Sequence, residues 1–452
     1  MLELIPLITI TTVVFFITYI VGLIFYLPFF EKKEIPAPIS FFIRTAMGYM
    51  AIPTIYSLYF TGGYTIFSGF FILYLIVFFL VKKKWPALSI ICKSDIKYLL
   101  SSTLVLSTLV LFQCWRYGFF DEIYFQAYMQ DSGIYATVSE YLKITGIETP
   151  SPWYQLTDVA GDGIAKIYHF EDFWFFALIL DFLPERPLDL FNYVFSPVLG
   201  TIHFFASLAL LTVLQKNKKN RLLNIFLALG SIVFIMYIPI ELARWSAVLH
   251  INIMTYPKVA AVPILLPFAL IGSRYQIKYI GALAFGFIIL SDPLFLPTVL
   301  GASVIYYSGR FYINHNREEL ANIALIGFAA IYFFVFHMVF GSLENSSNYD
   351  STHSQSSYLY GFFKNITIST FRHLIFFSPA YLAIAFFFLW CRNQLSFFEK
   401  ETLSLVLLTL GFASLTWGIM NKNFGSFQFD TSVQTVLGAM LLICCIVILQ
   451  NI

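Results

Sequence analysis

Asp121 and Glu122 stand side by side in Phe120-Asp121-Glu122-Ile123-Tyr124, just beyond a long apolar run. The aromatic step between Trp115 and Phe120 places them at a membrane boundary, where a lipid-linked substrate presents its headgroup. A carboxylate there can act as a general base, taking a proton from a hydroxyl as it attacks an activated carbon. Partial burial under aromatic rings would raise its pKa and help it hold that proton. The same residues also read as a helix start, with Asp121 as N-cap and Glu122 in the first turn. Tyr124 and Tyr128 follow at helical spacing.

Tyr168-His169-Phe170-Glu171-Asp172 forms a second group. In a helix His169 would meet Asp172 and Tyr168 would meet Glu171. A histidine with two acids can cap a helix, hydrogen-bond sugar hydroxyls, or bind a divalent cation such as Mg or Mn. No cofactor is firmly implied, and the ligand spacing does not repeat. A third group holds Glu241, Arg244, Trp245, His250, Tyr256 and Lys258. Arg244 and Lys258 can grip a phosphate or pyrophosphate, or anchor at the membrane interface with their charges in the headgroups. Arg116 belongs to the same type but stands apart.

What holds these residues is almost entirely hydrocarbon-soluble. Of 452 residues, 59% are hydrophobic and 12% charged, against about a quarter charged in soluble domains. Apolar runs recur near 4–29, 41–60, 64–81, 98–115, 190–215, 222–240, 258–273, 278–291, 294–309, 321–341, 373–390, 402–420 and 432–450. Each approaches the length needed to cross about 30 Å of hydrocarbon as a helix. The runs are continuous and do not alternate, which argues against a β-barrel. The expected fold is an all-α polytopic membrane protein of about thirteen spans. The net charge of +2 gives no argument for nucleic acid. Cys92, Cys114, Cys391, Cys444 and Cys445 lack metal-ligand spacing.

Sidedness follows from the basic residues. Eighteen of the 27 Lys and Arg fall at alternate span ends: Lys32–Lys33, Arg44, Lys82–Lys97, Lys216–Arg221, Arg274–Lys278, Arg310–Arg317 and Arg392–Lys400. The positive-inside rule puts these in the cytoplasm and turns the acidic 116–189 loop toward the periplasm or exterior. Richness in Ile, Lys, Asn and Phe fits an AT-rich bacterial source, hence a bacterial inner membrane. Within the loop, Tyr135–Leu142 reads as an amphipathic helix that resumes after a break at Asp131-Ser132-Gly133 and ends at Thr145-Gly146. The apolar 171–183 stretch is short for a span, suits an interfacial or re-entrant helix, and is expected on the outer surface, leading into the span that starts near Leu190.

The order of a span, Phe-Asp-Glu-x-x-Tyr, an amphipathic stretch closing on Gly146-Ile147-Glu148-Thr149-Pro150, a Tyr-His-Phe element and a Pro-marked return to the bilayer resembles the first outward loop of GT-C superfamily glycosyltransferases. The resemblance covers residues 98–215. It implies a polytopic enzyme that moves a sugar from a polyprenyl-phosphate donor to a glycan, lipid or protein acceptor at the outer face. It also implies Asp121 as catalytic base, with Glu122 the neighbouring choice. The family usually places this loop after its first span. Here residues 1–97 add three spans ahead of it, and 216–452 supply the remaining ones. Two other functions compete: a lipid-linked polysaccharide polymerase or ligase, for which Arg244 and Arg372 are the fitting outward arginines, and a flippase or transporter. The acids cluster in a loop with few charges at mid-span, which counts against transport.

Overall fold

The computed structural model describes residues 4–30, 35–61, 93–116, 130–146, 170–183, 185–214, 258–275, 279–291 and 296–340, with isolated positions at 76, 225, 228, 277, 389 and between 401 and 415. The expected spans near 64–81, 222–240, 373–390 and 432–450 lie outside these residues, as does most of 402–420. Among the described residues there is no strand. The helices are α1 (Leu4–Phe30), α2 (Ala37–Thr61), α3 (Lys93–Arg116), α4 (Gln130–Thr145), α5 (Phe170–Phe182), α6 (Pro187–Leu190), a π-turn (Phe191–Phe195), α7 (Ser196–Leu214), α8 (Lys258–Arg274), α9 (Ile280–Ser291), α10 (Leu296–Asn314) and α11 (Arg317–Phe340).

Among the described residues, four stretches are long and apolar enough to cross a membrane: Leu4–Tyr26, Asp95–Trp115, Pro187–Val213 and Arg317–Val335. Their burial differs sharply. The window within Pro187–Val213 is 94% buried, against 39%, 33% and 28% in the other three, so this stretch is the central pillar and the others are peripheral. The outer face of α1 carries Val13, Ile17, Ile20 and Ile24, all exposed, at helical spacing. Leu100, Leu104 and Leu111 do the same on α3, and Ile331, Phe334 and Val335 on α11. Apolar stripes of this extent are costly in water and cost nothing in hydrocarbon. Together these features are those of an all-α membrane protein.

Helices α1 and α2 cross with their backbones in contact. A Cβ on Gly22 would collide with the Arg44 carbonyl, and one on Gly48 with the Thr18 carbonyl. Small residues at such crossings replace the hydrophobic drive that lipid does not supply.

Two of the basic span ends, at Arg44 and Arg310, form ion-pair clusters among the described residues. Arg44 of α2 pairs with Asp95 of α3 at 2.6 Å, hydrogen-bonds Tyr19 at 2.8 Å and lies over the Tyr26 ring of α1. The end of α1 and the starts of α2 and α3 therefore share one end of the bundle. In the other half, Arg310 of α10 bonds Glu319 of α11 at 2.9 Å, and also Glu401 and Ser273 of α8. Phe42 of α2 meets Phe268 of α8 in an edge contact at 6.4 Å, which puts both clusters at the same end. Two helix limits differ from the sequence reading for the same reason. Helix α3 starts at Lys93 and not near 98, because Asp95 is held by Arg44; α10 runs to Asn314 and not 309, because Arg310 is held by two carboxylates.

Helix α4 keeps its amphipathic character: Tyr135, Val138 and Leu142 are buried while Thr137, Glu140 and Ile144 are exposed. It ends as expected, with Gly146 at φ 67° and its N–H bonded to Leu142 O at 2.7 Å. The expected break at Asp131-Ser132-Gly133 does not occur. The helix begins at Gln130, so those residues lie within its first turn. Helix α5 departs from the interfacial reading but not from the re-entrant one. It is expected on the outer surface, yet Phe173 to Ala177, Ile179 and Leu180 are all buried. A helix apolar on every side has no face to offer water, so it packs inside the bundle against α2 and α4.

Candidate functional site

The end opposite the ion-pair clusters is built from rings and hydrogen bonds. Trp174 of α5 packs on Tyr56 and Phe60 near the far end of α2, at 5.9 and 6.3 Å. Lys143 near the end of α4 donates to Leu180 O at 2.8 Å, tying α4 to the carbonyl end of α5. Tyr135 of α4 stacks on Phe191 at 6.1 Å and tilts against Phe173 at 5.5 Å. Phe176 contacts Phe191 and Phe195, and Phe175 contacts Phe195. This aromatic block seats α5 against the mouth of the central pillar, and it holds two polar residues.

The first is Asp172, in the opening turn of α5 and 2% exposed. The Tyr49 hydroxyl donates to its Oδ1 at 3.4 Å, and Phe175 and Phe287 flank the Tyr49 ring. A carboxylate in a helix's first turn is favoured by the dipole, so the capping role and a substrate role are compatible here.

The second is Asn192, inside the π-turn. A π-turn spreads the backbone by one residue and frees carbonyls. Here other side chains take them up. Gln113 Nε2 of α3 donates to Asn192 O at 3.3 Å and Thr11 Oγ1 of α1 to Tyr193 O at 3.3 Å, while Phe191 O keeps the Ser196 backbone N–H and also accepts from Ser196 Oγ at 3.0 Å. The widened turn is thus supported from three helices. The Asn192 side chain is fully buried, and neither its oxygen nor its nitrogen has a hydrogen-bond partner among the described residues; nor has Gln113 Oε1. A buried amide left unpaired costs roughly 2–7 kcal/mol depending on the reference state. Further along the pillar, His203 and Ser207 are buried as well.

The sequence candidates divide as follows. Asp121, Glu122, Tyr124, His169 and Arg244 lie outside the described residues. Arg116 is the last residue of α3, Lys258 the first of α8, and Glu171 sits in the first turn of α5. Asp172 alone among the candidates has described side-chain surroundings, and these are Tyr49 and the aromatic block. Among the described residues no group of three or more His, Cys, Asp or Glu could hold a metal ion.

Sequence reasoning passed over Asn192, Gln113, Asp95 and the Arg310–Glu319–Glu401 cluster. Asn192 had a readable signal, a primary amide inside the run Phe191–Phe195 beyond Pro187. Polar side chains within spans are expensive and face the bundle interior. Glu401 had none, since it meets Arg310 across 91 residues.

No family description, no curated protein and no solved structure matches the chain.

Proposed function

We propose that the chain is a membrane glycosyltransferase that moves a sugar from a polyprenyl-phosphate-linked donor to a cell-envelope glycan, lipid or protein at the outer face. The resemblance of residues 98–215 to GT-C enzymes motivates the reaction class. The observation that carries the reading is positional. The acid-bearing 117–169 segment connects elements seated at the bundle end opposite the basic clusters, which by the positive-inside rule is the outer end. In this reading Asp121 takes the proton from the acceptor hydroxyl while Arg244 and Lys258 stabilise the leaving phosphate.

The test is transfer from a panel of polyprenyl-phosphate sugars by purified protein in nanodiscs, wild type beside Asp121→Asn, with and without EDTA. Loss of transfer in a folded variant supports the base. Full activity in that variant removes the assignment, and EDTA sensitivity decides the Mg or Mn requirement. A transporter is the second reading. A π-turn and the buried His203 inside the central spanning helix favour it. Substrate-dependent flux into sealed proteoliposomes without sugar transfer would select it.

A further inference from the structure

At the basic end of the bundle one guanidinium serves two carboxylates. Arg310 Nε donates to Glu319 Oε1 at 2.9 Å, and its Nη1 donates to Glu401 Oε1. The same Nη1 reaches the hydroxyls of Ser273 and Tyr306. Among the described residues, the titratable groups around Glu401 are Arg310, Tyr306 and Tyr307 from α10 and Glu319 from α11, and α8 adds the neutral Ser273 hydroxyl. Arg44 and Asp95 balance one to one, whereas this cluster carries an excess of one negative charge. The Glu319, Glu401 and Arg310 side chains are 6%, 14% and 17% exposed, so water screens that excess poorly. Two carboxylates that share a site relieve such an excess by taking up one proton. A metal cation is disfavoured, because Arg310 already bridges both acids and repels it. Glu401 is the more accessible acid, and burial and Glu319 hold its carboxyl above the ordinary pKa against the pull of Arg310.

Glu401 also opens a helical stretch. Leu405 and Thr409 follow it at four-residue spacing and are buried, while Ser404, Leu407 and Leu415 are exposed. A Cβ on Gly301 would meet the Phe412 ring. The stretch therefore runs antiparallel to α10, with a charge against Arg310 at one end and a ring against Gly301 at the other. We infer that Arg310, Glu319 and Glu401 form a binding site for one proton, whose occupancy controls how firmly the 401–415 stretch docks on α10 and α11. With the proton bound, Arg310 pairs with one carboxylate and one neutral acid. Without it, the two acids repel each other across Arg310, and Glu401 belongs to the docking element. Docking favours the proton, so by linkage the proton favours docking; the contribution is present at low pH and lost as pH rises. The inference goes beyond the glycosyltransferase reading and does not depend on it.

The experiment titrates protein in phosphatidylcholine nanodiscs from about pH 4 to about pH 9, starting near the ordinary Glu pKa of about 4.3. Infrared difference spectra read the protonated carboxyl. Amide hydrogen exchange of peptides from 401–415, corrected for the intrinsic effect of pH, reads docking. Wild type is expected to lose a carboxyl proton above the ordinary Glu range and to lose protection over 401–415 at the same midpoint. Glu401→Gln and Glu319→Gln each remove the excess charge, so each is expected to abolish that step and to keep the protection at alkaline pH. Glu185→Gln, which changes an exposed acid outside the cluster, is expected to leave the step in place. If one glutamine variant of the cluster fails to fold, the other carries the test. A step that survives in the folded variants overturns the inference, as does protection over 401–415 that ignores pH. A midpoint that moves when sodium chloride replaces choline chloride gives the site to a metal cation and overturns the proton.

Discussion

Asp95→Asn is the substitution whose cost the structure defines best. Asp95 is nearly inaccessible, and its Oδ2 lies 2.6 Å from Arg44 Nη1. Two unit charges about 4 Å apart attract by about 4 kcal/mol at an effective dielectric constant of 20. Removing one member of such a buried pair costs about 3–5 kcal/mol, because the other charge stays behind. Arg44 keeps the Tyr19 hydroxyl and the Tyr26 ring, which lowers the cost toward the bottom of that range. About 3 kcal/mol corresponds to somewhat over a hundredfold in an equilibrium constant. The assay is loss of the monodisperse peak in size-exclusion chromatography after heating in detergent. Asp95→Asn and Arg44→Met should each lower the half-loss temperature by several degrees. The double variant Arg44→Met with Asp95→Leu should recover most of the loss, since no charge is then stranded. If Asp95→Asn matches wild type, or if the two single losses add in the double variant, the pair is not the clamp described here.

Two further outcomes follow from the packing. Gly48→Leu should abolish a stable α1–α2 crossing, since even a Cβ there meets the Thr18 carbonyl; a monodisperse, thermally unaltered Gly48→Leu protein would contradict the contact. The Glu401 carboxyl is held above its ordinary pKa by burial and by neighbouring Glu319, against the pull of Arg310. Its protonated form is thus favoured by the fold, and that contribution is present at low pH and is lost as pH rises through the raised pKa. Glu401→Gln should therefore flatten the fall in stability that begins as pH rises above the ordinary carboxylate range, measured by the same heating assay, while unchanged curvature would exclude Glu401 as its source.

The helical architecture was legible because hydrocarbon imposes it. Every backbone group must be paired within the segment, so long apolar runs leave only the helix. The runs at 4–29, 41–60 and 258–273 match α1, α2 and α8 within a few residues. Charge alternation was legible for a similar reason: it is written into short loops and needs no tertiary knowledge. The burial of α5 was not, because a 13-residue apolar helix fits an interface and a bundle interior equally well by composition. Only packing against α2 and α4 decides between them. The candidate site was read only in part. Asp172 was picked out by its neighbours in sequence, whereas Asn192 depends on a π-turn, and Gln113 reaches it across 79 residues.

The described ion pairs lie at one end of the bundle while aromatic contacts occur at both, and this bears on where chemistry belongs. At the basic end, charges are neutralised by charges: Arg44 by Asp95, and Arg310 by Glu319 and Glu401. Those guanidinium groups are occupied by carboxylates and tyrosine hydroxyls. At the other end, the contacts are ring against ring and amide against carbonyl, with Asp172 held by a tyrosine hydroxyl. Aromatic contacts slide at low cost, whereas a buried ion pair cannot part without stranding a charge. A substrate that must enter, react and leave is better served by the end whose contacts can rearrange. That physical asymmetry, independent of any likeness to known enzymes, directs the search for activity to the end of the bundle that carries the π-turn and the aromatic block.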